Sequence, residues 1–176
     1  MIPPRIQRTL LTGLIALLFA GGGMALSVYV STEKSHLSDN LYKLSLPTLD
    51  GQNKALSEWR ATPLVVNFWA TWCSPCVEEM PALSALQTEL KQSGQAIQLI
   101  GIGIDSPENI AEFAKKYKIT YPLYIAGMPG TQLSQQLGNQ TGGLPFTIII
   151  NKSGDIVKTY SGRLSMPALR KDLAGL

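Results

Sequence analysis

The stretch NFWATWCSPCVEEMP, Asn67–Pro81, holds both cysteines of the chain, Cys73 and Cys76. It joins two patterns. Upstream, PLVVNFWA (Pro63–Ala70) is an almost unbroken run of apolar β-formers, the pattern of a strand buried on both faces. Downstream, from Cys73 to about Gln92, Met80, Leu83, Leu86 and Leu90 recur at steps of three and four, which is one face of a helix. Pro81 within that helix predicts a kink, because proline removes a backbone donor and crowds the preceding turn. The cysteine pair therefore sits where a strand turns into a helix.

Three chemistries are open to such a pair. As a staple it is weak, since a bridge across two residues closes a very small loop and removes little entropy from the unfolded chain. As a metal site it lacks ligands, because zinc usually takes four. There is no third cysteine, and His36, the only histidine, lies in the polar segment STEKSHLSDN (Ser31–Asn40). As a redox pair it is well placed. The first thiol falls at a helix N-terminus, where free N–H groups and the helix dipole stabilise a thiolate. The second lies one turn inside, close enough to resolve a mixed disulfide. Pro75 occupies the first turn, where its missing N–H costs nothing. A second element is GGLPFTIII (Gly142–Ile150), in which Pro145 precedes an apolar strand. A cis bond and an ordinary trans proline opening an edge strand both fit those residues.

Outward from these motifs the chain alternates. LYKLSL (Leu41–Leu46) alternates like a short strand, and LDGQ (Leu49–Gln52) carries an Asp-Gly turn signal. LSEW (Leu56–Trp59) fits a helical turn capped by Ser57. IQLIGIGI (Ile97–Ile104) is a second buried strand, ended by Asp105. SPENIAEFAKKY (Ser106–Tyr117) is a helix capped by Ser106 and opened by Pro107, with Ile110, Phe113, Ala114 and Tyr117 inward. PLYIA (Pro122–Ala126) is a short strand, and TQLSQQLG (Thr131–Gly138) a short helix ended by Gly138. FTIIINKSGDIVKTYSG (Phe146–Gly162) is a hairpin turning at NKSGD. SMPALRKDLAGL (Ser165–Leu176) closes the chain as a helix with Met166, Leu169 and Leu173 inward. Helices alternating with long apolar strands, then a hairpin and a helix, predict an α/β protein with a mixed central sheet covered on both faces.

The N-terminal end differs. LLTGLIALLFAGGGMALSVYV (Leu10–Val30) carries no charge and is long enough to cross a bilayer as one helix, although Gly21-Gly22-Gly23 weakens it. Arg5 and Arg8 precede it, so the positive-inside rule puts the N-terminus in the cytoplasm and the rest outside. The competing reading is a cleaved signal peptide, with ALS (Ala25–Ser27) as its small-residue site. The chain then divides into residues 1–30 (cytoplasmic start and membrane anchor), 31–40 (tether) and 41–176 (soluble domain). The formal charge of +3 suggests an anionic partner, but without Arg5 and Arg8 the balance is only 13 against 12. No Lys/Arg run interleaved with aromatics appears, which argues against nucleic acid.

FWATWCSPCVEEMP together with GLPFTIII resembles the thioredoxin superfamily. Within it the chain is most similar to the membrane-anchored, extracytoplasmic thioredoxin-like proteins of the TlpA/ResA type, including those serving cytochrome c maturation. The resemblance spans about Leu41–Leu176, takes in the insertion Ile97–Tyr117, and implies a thioredoxin-like fold with no cofactor. It implies that Cys73 attacks and Cys76 resolves, the two forming a redox-active disulfide. It implies that Pro145 is a cis-proline beside the pair, with Leu144 offering backbone bonds to a bound peptide and Trp72 as the flanking aromatic. Glu79 matches the acidic residue three positions after the second cysteine. Cytoplasmic thioredoxins carry a buried aspartate where this chain has Asn67, which accepts no proton, so Glu79 is the better base for Cys76; a plain helix-start preference explains Glu79 equally well. The implied partners are disulfides or dithiols of exported proteins, apocytochrome c among them, and a membrane thiol electron donor. Reduction is the favoured direction, with a disulfide-donating oxidase and a tethered binding module left open. Peroxidase chemistry is disfavoured, because the positions three before the cysteines hold Ala70 and Cys73 rather than Thr or Ser.

Overall fold

The computed structural model describes residues 37–176. The expected membrane span, residues 10–30, and the tether residues 31–36 lie outside the described residues. Among the described residues no helix is long and apolar enough to cross a membrane.

In chain order the elements are a helix over residues 37–42 (α1), β1 (Ser45–Pro47), β2 (Asn53–Ala55), a 3-10 turn (Leu56–Trp59), β3 (Leu64–Trp69), α2 (Ser74–Gln92), β4 (Gln98–Gly103), α3 (Pro107–Tyr117), β5 (Leu123–Ile125), α4 (Pro129–Gln136), β6 (Phe146–Ile150), β7 (Ile156–Ser161) and α5 (Met166–Leu173). β1 and β2 form a small antiparallel pair. The main sheet has five strands in the order β5-β4-β3-β6-β7. β3, β4 and β5 run parallel, β6 runs against them, and β7, antiparallel to β6, returns to the direction of β3. This is the expected mixed sheet, and all six residues of β3 are buried.

Strand alternation sends the core to both faces. Val65, Trp69, Leu99, Leu123 and Ile149 pack with Met80 and Leu83 of α2, Ile110 and Phe113 of α3, and Leu169 of α5. Leu64, Val66, Phe68, Ile100 and Ile148 pack on the other side with Leu41 of α1, Leu56, and Leu133 of α4. Helices thus cover both faces, as the pattern predicts.

Four local readings change. Leu41 and Tyr42, expected to open the strand Leu41–Leu46, belong to the helix over residues 37–42, and only Ser45–Pro47 is extended. The neighbours Leu41 and Tyr42 are both buried, unlike the residues of a strand with one face in solvent, and Lys43 N–H donates to the Asp39 carbonyl to close the helix. Residues 37–40, expected as tether, belong to the folded unit, with Ser38 buried. Ser57 caps nothing: Ala55 holds the cap position, without a side-chain bond. Tyr117, expected inward, is 36% exposed and lies over Phe113 at the rim, ring centroids 4.4 Å apart. α2 continues through Pro81 to Gln92, and Ser106 caps α3 as read, accepting from the Asn109 N–H.

One glycine is required by packing. Gly101 pairs with Asn67 in β3 and Leu123 in β5. A Cβ there would stand 2.6 Å from Leu123 Cδ2, 3.1 Å from Trp69 Nε1 and 3.2 Å from Tyr121 Cε2. Leu123 can shift, but two buried rings have less room. Gly101→Ala is expected to lower the denaturant midpoint by the equivalent of about 1–3 kcal/mol with an unchanged slope. An unchanged midpoint would show that the rings yield freely.

Candidate active site

β3 hands the chain to α2 through Ala70–Cys73. Cys73 N–H donates to the Ala70 carbonyl at 3.2 Å, which turns the chain. Cys73 then stands as the N-cap of α2 in extended conformation, and its Sγ accepts from the Cys76 N–H at 3.3 Å. This is the cap interaction that a serine hydroxyl usually makes, carried out by sulfur. Pro75 lies in the first turn. Cys73 and Cys76 form a disulfide, with Cα atoms 5.3 Å apart. Their exposures differ: Cys73 is 6% accessible and Cys76 0%.

Glu79 lies one turn further along α2, on the same face as Cys76. It is 5% exposed. Its Oε1 accepts from the Asn67 side-chain amide at 2.9 Å, and its Oε2 from the Leu164 N–H at 3.0 Å. Burial pushes its carboxyl above the usual range, opposed by the Leu164 and Asn67 bonds and by the charge of Arg163. Asn67 also donates to Thr147 Oγ1 at 3.0 Å across the β3–β6 pair, and its Oδ1 has no partner among the described residues. Asn67 is therefore more than the loss of an aspartate: its amide holds Glu79. The bond joins positions twelve apart, and Leu164 is 85 away from Glu79, so no local pattern exposes them.

The Leu144–Pro145 bond is cis, as the resemblance implies. Pro145 is buried, and Leu144 is half-buried against the cluster that contains Cys73 and Cys76. Trp72 is 66% exposed, so its indole stands in solvent beside the pair. A cleft of about 290 Å³ opens between α2 and α3, lined by Thr71, Val77, Asn109, Phe113 and Tyr117. A larger cavity, about 590 Å³ around Pro63, Asn151, Val157 and Leu176, belongs to the opposite end of the sheet and not to this chemistry.

Asp105, read only as a strand end, also reaches this region, accepting from the Thr71 N–H at 3.2 Å.

Comparison with known proteins agrees with this geometry. Residues 37–159 match the model of the AhpC/TSA family. Thiol-disulfide oxidoreductase ResA of Geobacillus thermodenitrificans is 27% identical over 168 residues, covering 94% of this chain and 93% of the relative. A secreted Mycobacterium tuberculosis disulfide oxidoreductase, homologous to E. coli DsbE, superposes with a TM-score of 0.66 at 19% identity. That match covers 78% of this chain and 98% of the other, and it speaks for the fold. A DsbF homologue from Corynebacterium diphtheriae gives a TM-score of 0.65 at 25% identity, covering 77% and 85%. A cysteine pair capping a helix at a strand's end, a cis-proline before β6 and these likenesses converge: the chain belongs to the AhpC/TSA family, as a thioredoxin-like thiol:disulfide oxidoreductase.

Proposed function

We propose that the protein reduces disulfides in exported proteins, apocytochromes c among them, through the Cys73/Cys76 dithiol. The observation that carries this reading is the asymmetry of the pair. Cys73 Sγ accepts a backbone N–H at the amino end of α2 and Cys73 keeps 6% of its surface accessible, while Cys76 is fully buried. The first sulfur is placed to attack and the second to act only on what the first has captured.

In this scheme the Cys73 thiolate attacks one sulfur of a target disulfide, and the other target sulfur leaves as a thiolate. Cys76 gives up its proton and attacks Cys73 Sγ. The bond to the target breaks, the target leaves with two electrons and takes up two protons, and Cys73–Cys76 is oxidised. A membrane-bound thiol donor then restores the dithiol. An anchor over residues 10–30 places the domain on the extracytoplasmic side, where disulfides persist. Trp72 and Leu144–Pro145 flank Cys73 as the surface for the target peptide. No cofactor is needed, because the electrons pass between sulfur atoms.

Glu79 is the base that takes the Cys76 proton. Asn67 suits both of its forms: Nδ2 donates to the carboxylate, and Oδ1 accepts from the acid once the amide turns. Glu79→Gln is expected to slow resolution of the mixed disulfide by about 100-fold, within the range of general-base catalysis. Alkylation of Cys73 should keep its rate. The same variant has a signature in stability. A folded pKa above the unfolded one gives stability that is full below the unfolded value and lost as pH rises through the folded value. Glu79→Gln should remove that slope, read from unfolding midpoints across the acid range. Unchanged resolution with an unchanged slope would remove Glu79 from the mechanism. For the function as a whole, insulin reduction by the full-length protein, with thiol-dependent recharging, is the direct assay.

A further inference from the structure

Asp105 stands where the chain leaves β4 for α3, and its two carboxylate oxygens serve different elements. Oδ1 accepts from the Ser106 N–H at 2.7 Å and from the Asn109 side-chain amide at 2.8 Å, both at the start of α3. Oδ2 accepts from the Thr71 N–H at 3.2 Å and from the Thr71 hydroxyl. Capping of α3 does not explain the second pair, because Ser106 Oγ already accepts from the Asn109 N–H at 3.2 Å. Desolvation pushes the Asp105 carboxyl up, but the bonds from Thr71, Asn109 and Ser106 outweigh it and hold it below the usual range.

Thr71 lies two residues before Cys73. The chain leading into Cys73 is fastened at two points to the residues just after β4: the Ile104 N–H donates to the Trp69 carbonyl at 2.8 Å, and Asp105 holds Thr71. In the oxidised protein the bond to Cys76 also fixes Cys73. Reduction removes that covalent restraint. The exposed Trp72 indole, 66% accessible, gives the loop little packing of its own. The hold on Thr71 then adds to the backbone bonds of Cys73, to the Ala70 carbonyl and from the Val77 N–H, in keeping Cys73 Sγ over the free N–H groups of α2.

We propose that Asp105, acting through Thr71, is a positioning residue for the exchange reaction: it ties the Cys73 loop to β4 and α3 so that the sulfur stays at the amino end of α2 when the disulfide opens. This rests on the exchange reading of the pair. The effect belongs to the dithiol state, and that separates it from a role in folding alone. The same hold sets one wall of the cleft between α2 and α3, to which Thr71 and Asn109 both contribute.

The test uses the full-length protein and three variants. Thr71→Val keeps shape and backbone N–H and removes the hydroxyl, Thr71→Ser keeps the hydroxyl, and Asp105→Asn gives up one acceptor. Three quantities are read: the pH dependence of Cys73 alkylation by iodoacetamide, the rate of attack on the disulfide DTNB, and unfolding midpoints of both redox forms. Asp105→Asn, which also removes a negative charge that opposes the thiolate, should raise the Cys73 pKa less than Thr71→Val, which should raise it by about one unit. Below both pKa values, that cuts the thiolate about tenfold and raises its nucleophilicity about threefold, so the rate falls about threefold. Thr71→Ser should match the parent in both readouts. The oxidised forms, which also lose the Thr71–Asp105 bond, should unfold at a midpoint lowered only by that one part-buried bond. Thr71→Val with the parental alkylation profile and rate would overturn the proposal, as would Thr71→Ser as slow as Thr71→Val. A parent that attacks DTNB no faster than a free thiol would instead bring down the exchange reading, and this role with it.

Discussion

Cys76→Ser is expected to end turnover while leaving the first chemical step intact. The parent dithiol should release two equivalents of chromophore per molecule of DTNB, because Cys76 displaces the half held on Cys73. Cys76→Ser should release one and keep the other as a mixed disulfide. In cells the same variant should accumulate covalent adducts with its targets, cleaved by reductant. Insulin reduction should fall by about a thousandfold or more, since removal of one member of a unit that acts together costs nearly the whole effect. Cys73→Ser should lose turnover equally and trap nothing, because the remaining sulfur is fully buried. Two equivalents released by Cys76→Ser, with no adduct, would show that resolution does not need Cys76.

The second large effect concerns Asn67. Its amide nitrogen lies 2.9 Å from Glu79 Oε1 in a site with almost no solvent. Asn67→Asp restores the residue of cytoplasmic thioredoxins, but here it sets two carboxyls in contact. Both cannot ionise at that distance, so the pair titrates together with one proton held to unusually high pH. A rise of about two pKa units corresponds to roughly 2.7 kcal/mol. The sign follows from the raised folded value: the loss should be small in acid and grow as pH rises through the pair's upper pKa. Unfolding midpoints at a series of pH values measure it. A loss of the same size at every pH would mean that the two side chains do not share a proton.

How much of this was legible in the sequence depends on range. β3, α2 and the place of the cysteine pair follow from local periodicity, because a buried strand and a helix face each leave a repeating apolar signature. The cap at Ser106, the hairpin and the closing helix were legible for the same reason. Residues 37–42 misled because Leu41 and Tyr42 fit two periods over so short a run, and only packing against the sheet decides between them. The cis bond before Pro145 came from resemblance, since the residues alone allow either isomer. Least visible were the bonds that tune the site. Asn67 to Glu79, Leu164 to Glu79 and Thr71 to Asp105 join a carboxylate to a side-chain amide or a backbone N–H that the fold brings to it from a separate part of the chain. A reading by residue type found Glu79 as a carboxylate near the cysteines. It did not find that Asn67 is its partner, or that Asp105 holds the loop.

The central claim is that one sulfur is kept as a reactive anion by the amino end of α2. Alkylation of the reduced full-length protein over a pH series, with the modified residue identified by mass spectrometry, tests it most directly. The account predicts that Cys73 is modified first and titrates well below the value of about 8.5 for free cysteine, with Cys76 protected. Modification of Cys76 first, or a Cys73 that titrates like free cysteine, would contradict it.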